Sequence, residues 1–305
     1  MKKFFVFLTA LAFVSCSKND DSKIKKVEVD FSITDSTDKN HNGEFAVKPL
    51  NVVIASMISP KETFSYYEEL IKYVGDKLNI PIEFKQRKTY REVNEMLSNK
   101  EVDVAFICSG PYVEQADKKN IEILVVPVSN GIPAYQAYII AHVKSQISRF
   151  EDFKGKIFAF TDPLSNTGYL YAIKRVKELR TTADKFFSKS FFSYAHDNSI
   201  QLVERRTVDG ASIDGLVLDY LKKFSPERVK NIKIVEKSEL YGIPPFVVPK
   251  NIDASTKEKL RNIFLTMHLN YKGKKILDKL LIDKFILGKD SDYNSIRSIQ
   301  RFVQK

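Results

Sequence analysis

From Leu50 onward, short β-prone runs alternate with helical segments, and this alternation restricts the chain to a small set of folds. Asn51-Val-Val-Ile-Ala55 is a compact apolar run. Lys61 to Leu78 then places Phe64, Tyr67, Leu70, Ile71, Val74 and Leu78 at helical spacing. Pro81 to Phe84 reads as a strand, Tyr90 to Leu97 as a helix and Val102 to Phe106 as a buried strand. A helix from Pro111 and a strand from Ile121 to Val126 follow. Short apolar strands separated by helices predict an α/β fold, with open sheets and helices on both faces.

A Gly131-Ile-Pro133 break precedes Tyr135 to His142, a β-prone run placed as a crossover into a second unit. That unit repeats the alternation. Strands are expected at Lys156 to Phe160, Ala211 to Ile213 and Ile232 to Val235. Helices are expected over Asn166 to Leu179, from Asn198 and from Leu216. Gly242-Ile-Pro-Pro245 breaks the chain again, and Phe246-Val247 reads as a return strand. Helices over Ser255 to Leu269, Lys272 to Ile282 and Ser295 to Val303 are expected to pack back on the first unit. The resulting organisation has two lobes, residues 48–134 with 243–305 and residues 135–242. Two hinge crossings join them, near Pro133 to Tyr138 and near Leu240 to Val247.

The N-terminus has its own logic. Lys2 and Lys3 precede an apolar run from Phe4 to Val14, broken only by Thr9, and Ser15-Cys16 follows. This is a signal-peptide layout. The run is too short to cross a bilayer, which takes about 20 residues. Cys16 directly behind Ser15 resembles a bacterial lipobox, with cleavage between the two and acyl chains on Cys16. Phe13 departs from the Leu usual in such motifs. The alternative is a secreted protein cut nearby without lipid. Residues 1–15 are thus expected to be a signal peptide. Residues 16–47, polar and charged, are expected to be a flexible tether, with a short strand where Val27 to Ile33 alternates. The folded part is expected on the extracytoplasmic side of a membrane.

The formal charge of +11 raises the question of nucleic acid. The lysines are scattered and paired with glutamates, as in Glu68-Glu69-Leu70-Ile71-Lys72, and no basic and aromatic strip emerges. No nucleic-acid partner is expected. The surplus reads as solvated surface, mildly favourable for anions and lipid headgroups. Of the two cysteines, only Cys108 remains beside Cys16. An internal disulfide is therefore excluded, and the fold must rest on its core.

In open α/β sheets, ligands lie outside the carboxyl ends of the strands. Ser59-Pro60-Lys61-Glu62 fits a capping box at the first such turn. At Cys108-Ser109-Gly110-Pro111-Tyr112, Gly110 permits close backbone approach. The turn Thr161 to Gly168 is the most anion-ready. Ser165 is placed as an N-cap, leaving the N–H groups of Asn166, Thr167 and Gly168 free at the helix start. Ser165 and Thr167 add uncharged donors. Ordinary capping explains the same residues equally well. His196 precedes another helix start and is suited to donate to an anion oxygen. Asp214 ends a short strand, where it either accepts a bond from a ligand proton or caps the next helix.

Several strings resemble the phosphate/phosphite/phosphonate-binding (PhnD-like) proteins of ABC importers. They are Thr89-Tyr-Arg-Glu-Val-Asn-Glu95, Val102-Asp-Val-Ala-Phe-Ile-Cys-Ser-Gly-Pro-Tyr-Val113, Gly155-Lys-Ile-Phe-Ala-Phe-Thr-Asp-Pro-Leu-Ser-Asn-Thr-Gly-Tyr169 and Val208-Asp-Gly-Ala-Ser-Ile-Asp214. Ser238 and Pro244-Pro245 match in order and spacing. The likeness covers roughly Leu50 to Leu269. It implies a two-lobed, type II-like periplasmic-binding fold that closes on its ligand. It implies that Ser165, Asn166, Thr167, Gly168 and His196 contact a phosphorus oxyanion, with Ser109, Tyr112 and an acid near Asp214 lining the rest. Asp209 and Asp214 compete for the acidic role, and Tyr66 and Tyr67 for a contact from the first helix. Glu204-Arg205-Arg206 departs from the family pattern, where a Gly is frequent. The implied partners are a small phosphorus-containing anion, ABC permease and ATPase subunits and, through the anchor, a membrane. The chain is expected to act as a monomer without a cofactor.

Three rival readings use the same residues. Cys108, His196 and Asp214 can be drawn as a thiol triad. Against it, Cys108 follows a buried strand, and the four histidines are too dispersed to form a metal site. The same fold can also feed a membrane sensor. Finally, it can hold another small ligand, such as a carboxylate or a thiamine-like molecule.

Overall fold

The structure, a computed structural model, describes residues 48–304. The segments read as signal peptide and tether, Cys16 and the strand expected at Val27 to Ile33 lie outside the described residues. The first part of the chain runs β1 (Leu50–Ala55), α1 (Pro60–Leu78), β2 (Ile82–Arg87), α2 (Tyr90–Ser98), β3 (Val104–Phe106), α3 (Ser109–Asp117) and β4 (Ile121–Val128). It crosses through β5 (Ala134–Tyr135) into β6 (Ala137–His142), β7 (Ile157–Phe160), α4 (Tyr171–Glu178), α5 (Ala183–Phe186), β8 (Lys189–Phe192), α6 (His196–Glu204), β9 (Gly210–Asp214), α7 (Gly215–Phe224) and β10 (Ile232–Lys237). It returns through β11 (Tyr241–Gly242) to β12 (Phe246–Pro249), α8 (Ala254–Thr266), α9 (Tyr271–Lys279), β13 (Lys284–Ile286) and α10 (Asn294–Gln304).

The first sheet has the order β13-β4-β12-β3-β1-β2 and the second β10-β6-β9-β7-β8. β1 pairs in parallel with β2 and β3, so that Val52 faces Phe84 on one side and Val104 on the other. β7 likewise pairs in parallel with β8 and β9. β12 and β6 insert antiparallel to their neighbours. β5 pairs with β11, Tyr135 opposite Tyr241 and Ala134 opposite Gly242, so the two crossings run side by side as one ribbon. This is a two-lobed α/β architecture, as the alternation predicts.

The strands form where they do because both of their faces are covered. β6 and β9 are buried along their whole length, which suits their continuous apolar runs. Each core is rich in phenylalanine. Phe246 stacks on Phe106 at 4.6 Å and on Phe264 at 4.8 Å in the first lobe. Phe158 stacks on Phe187 at 4.6 Å in the second. Such pairs add about 0.5–1.5 kcal/mol each beyond their buried area, which supports a fold whose Cys108 is free and buried.

Several details differ from expectation. The edge strands β8 and β13 were not foreseen. α3 starts at Ser109, ahead of Pro111, which is tolerated because N–H groups of a first turn have no helical partner anyway. Asn166–Leu170 is a π turn ahead of α4, not the opening of an α-helix. The capping box at α1 is absent: Ser59 makes no side-chain cap bond. Its backbone N–H instead reaches Asp197 Oδ1 at 2.7 Å. α8 and α9 pack on α1 as expected, but α10 lies against both α3 and α4 and so touches both lobes. Among the described residues, no helix is long and apolar enough to cross a membrane.

Candidate functional site

The residues that follow the parallel strands of one lobe meet those of the other. His196 N–H, at the start of α6, donates to Met57 O at 2.9 Å. Tyr90 N–H, at the start of α2, donates to Asp162 Oδ2 at 3.1 Å. Gly110 is so close to the second lobe that a Cβ there would stand 2.1 Å from Leu164 O. The carboxyl ends of the two sheets therefore face each other, where open α/β sheets hold ligands.

Ser165, Asn166, Thr167 and His196 have 0% exposure and Asp214 has 2%. Ser165 is the N-cap of the π turn, and its Oγ accepts the Gly168 N–H at 2.9 Å. Of the three donors expected free at this helix start, the Gly168 N–H is thus taken by Ser165. Gly168 fits because it has no side chain: a Cβ would lie 2.4 Å from Thr161 Cβ and 3.0 Å from His196 Cε1.

His196 is set by its backbone partner. Its Nδ1 accepts the Asp214 N–H at 2.9 Å, with Thr161 Oγ1 at 3.0 Å. A neutral ring that accepts at Nδ1 carries its proton on Nε2. Burial pushes the pKa down to about 3, so the ring stays neutral at physiological pH. Nε2 is buried without a partner, as are Thr167 Oγ1, Asn166 Oδ1 and Tyr90 Oη. The other end of the Asn166 amide donates to Tyr135 Oη at 3.4 Å. Buried polar atoms normally find partners, and these four at the facing strand ends have none among the described residues.

Asp214 caps α7, accepting the Leu216 N–H at 2.8 Å. Burial raises its pKa to about 7, with Asp219 adding to the effect and the Leu216 N–H opposing it. The carboxyl can therefore donate or accept near neutrality. Asp209 stands before the other end of β9 and holds the Ile157 N–H at 2.8 Å, so Asp214 is the acid at this site. Tyr67 is partly buried overall, with its hydroxyl enclosed. Burial first, and then Asp214 nearby, raises its pKa. Tyr66 packs its ring on Tyr220 of the second lobe at 4.7 Å.

Two expected contacts lie elsewhere. Tyr112 donates to Asp290 Oδ1 at 2.7 Å and packs on Tyr293 at 4.3 Å, so its hydroxyl faces the C-terminal segment. Ser109 Oγ donates to Gly242 O at 2.6 Å and braces the hinge ribbon. Tyr90, Tyr135 and Thr161 were missed. The Thr89 to Glu92 capping box, which fixes Tyr90 as the first residue of α2, was the one available signal. The thiol triad fails on geometry. His196 is bonded to the backbone of Asp214, not to its carboxylate, and burial raises the Cys108 pKa. Among the described residues, no cluster of His, Cys, Asp and Glu is suited to a metal.

A cleft of about 100 Å³ opens beside this enclosed web and has both Asp214 and Tyr67 in its wall. Ser165, Thr167 and His196 are not part of its lining. The unpartnered polar atoms mark the oxyanion-ready part better than the size of the cleft does.

Fold and site together define a two-lobed binding protein of the periplasmic type. Residues 52–293 match the family described as ABC transporter, phosphonate, periplasmic substrate-binding protein, and the chain belongs to that family. It is a family of extracytoplasmic transport proteins, not of enzymes. The chain is 24% identical over 262 residues to the phosphonates-binding periplasmic protein of Escherichia coli, covering 84% of this chain and 77% of that one. It is 26% identical over 209 residues to a phosphate-import protein of Mycolicibacterium smegmatis, covering 65% of each. A binding protein component of an ABC phosphonate transporter from Pseudomonas aeruginosa superposes with a TM-score of 0.79 at 27% identity, covering 84% of this chain and 87% of that one. A Prochlorococcus marinus structure in complex with methylphosphonate gives 0.76 at 18% identity, covering 85% and 99%. The latter likeness speaks to the fold.

Proposed function

We propose that this chain is the lipid-anchored binding component of an ABC importer. It captures a phosphorus oxyanion (phosphonate, phosphite or phosphate) between its lobes and hands it to permease and ATPase subunits. In this reading Cys16 carries the lipid and residues 16–47 tether the folded part. Residues 48–134 with 243–305 and residues 135–242 move as the two lobes of a monomer.

The observation that carries the reading is the set of buried, unpartnered donors: Thr167 Oγ1, Tyr90 Oη and His196 Nε2. The Thr167 N–H and the helix start behind it add to them. All are uncharged, so the anion is held by directed hydrogen bonds in a water-poor site, where each counts for more than in water. Asp214 then sets the protonation state. Two negative charges in contact there would repel, so one proton is shared between the ligand and the carboxyl. Because the site is enclosed, entry and release require the lobes to part.

The test is a thermal-shift screen of the purified protein against phosphate, phosphite, methylphosphonate, aminoethylphosphonate, sulfate and acetate. A ligand at 100 times its Kd stabilises the fold by about 2.7 kcal/mol. Thr167→Ala and His196→Ala are each expected to weaken the phosphorus ligand roughly tenfold or more while leaving the fold intact. Unchanged affinity in both variants would sink the site, and no shift with any phosphorus compound would sink the ligand class.

A further inference from the structure

The web offers uncharged donors to an oxyanion, and Ser165, Thr167 and His196 lie outside the lining of the neighbouring cleft. That cleft offers a space of about 100 Å³ and is walled by both lobes. Its lining is largely apolar or aromatic, with Phe106, Leu216, Ile243, Tyr66, Tyr67 and Tyr220 as the main surfaces. Its carboxylates are engaged with the protein. Asp197 accepts the Ser59 N–H, and Asp219 accepts from Tyr138 Oη at 3.2 Å. Asp214 belongs to both spaces. Its backbone N–H fixes the His196 ring, and its side chain stands in the cleft wall. Whatever is attached to an oxyanion at His196 and Thr167 therefore has one roomy neighbouring volume, reached past Asp214.

A methyl group or a hydroxyl would leave most of this space unfilled. Apolar clefts with a few convergent polar groups at one end are suited to organic groups. From this juxtaposition we infer that the ligand is an organophosphonate with an apolar or aromatic substituent of several carbons, lying in the cleft beside Tyr66 and Tyr67 of α1 and Tyr220 of α7. The inference rests on the phosphorus-oxyanion reading above and narrows its substrate class. The Tyr66–Tyr220 ring contact joins the two lobes, so a substituent seated beside it also adds contact across the closure.

The test compares calorimetric affinities of the full-length protein for methylphosphonate, butylphosphonate and phenylphosphonate. Each methylene taken into an apolar site contributes a roughly constant increment. Butylphosphonate is therefore expected to bind about fiftyfold more tightly than methylphosphonate. In Tyr220→Ala the ratio of the two affinities should fall several-fold. Tyr66→Ala provides the same readout should the first variant fail to fold. Equal or weaker binding of the longer ligands, with methylphosphonate still bound, overturns the substituent inference and leaves the oxyanion reading standing. Tighter binding of aminoethylphosphonate than of butylphosphonate overturns it in favour of a charged tail. Failure of every phosphorus compound removes both.

Discussion

Inward from one edge, the first sheet runs β2-β1-β3 with β12 between β3 and β4, and the second runs β8-β7-β9 with β6 between β9 and β10. The helix starts that follow corresponding strands can therefore be compared pair by pair. After β1 and β7 stand Ser59 and Ser165. Ser59 makes no side-chain cap bond, whereas Ser165 holds Gly168 N–H. After β3 and β9 stand Cys108 and Asp214, of which only Asp214 caps its helix. After β2 and β8 the helices open with Tyr90 and His196, each with a buried unpartnered atom. There the first N–H groups cross over, Tyr90 to Asp162 and His196 to Met57 O. The acids Asp162, Asp197 and Asp214 all belong to the second lobe. The second lobe thus organises its own helix starts after β7 and β9, while the first lobe's α1 start is bonded by Asp197 across the cleft and its α2 start adds Asp162 to its own Thr89–Glu92 capping box.

The sharpest way to break this comparison is at the contact between the lobes. Gly110→Ala places a methyl against Leu164 O and should hold the lobes apart. We expect ligand affinity to fall roughly tenfold to a hundredfold and small-angle scattering to show a larger liganded radius. An unchanged radius would mean that the lobes adjust.

The acid Asp214 gives the second test. Its pKa of about 7 lies above the unfolded value near 4. Its contribution to stability is complete below about pH 4 and is lost as pH rises to about 7. His196, held near 3, works the other way: its contribution is present above about pH 6.5 and lost as pH falls. Urea unfolding should show the stability of Asp214→Asn gaining on that of the parent as pH rises from 4 to 7, on the order of a few kcal/mol, and level above 7. A pH-independent difference would remove the carboxyl from the enclosed site.

Next in size come the carboxylates that reach across. Asp162→Asn and Asp197→Asn keep the shape but lose the charge on a helix-start bond. Each should weaken ligand binding about threefold to tenfold, seen as faster release by stopped flow. The smallest effect separates the two serines. Ser165→Ala should cost about 1 kcal/mol of stability in denaturant unfolding, and Ser59→Ala close to none.

The α/β alternation was legible because strands covered on both faces read as compact apolar runs. Lys189–Phe192 and Lys284–Ile286 were not, because edge strands this short acquire their identity from a partner rather than from a pattern. Ser165, Thr167, His196 and Asp214 could be named because they follow strands, and strand order sends strand ends to one place. Tyr90 and Tyr135 could not, since the direction of an aromatic hydroxyl depends on the opposite lobe. Tyr112 was misassigned for the same reason: nothing local shows that Asp290 and Tyr293 fold back onto it.

Cys108 sits at the facing strand ends with 0% exposure. In the opening proposed for the lobes, a thiol reagent gains its access to this sulfur as they separate. The rate of its modification therefore counts openings, and a ligand that keeps the lobes together slows the count in proportion to its occupancy. The chain carries its own clock for the gating step, in a residue that needs no engineering to be read.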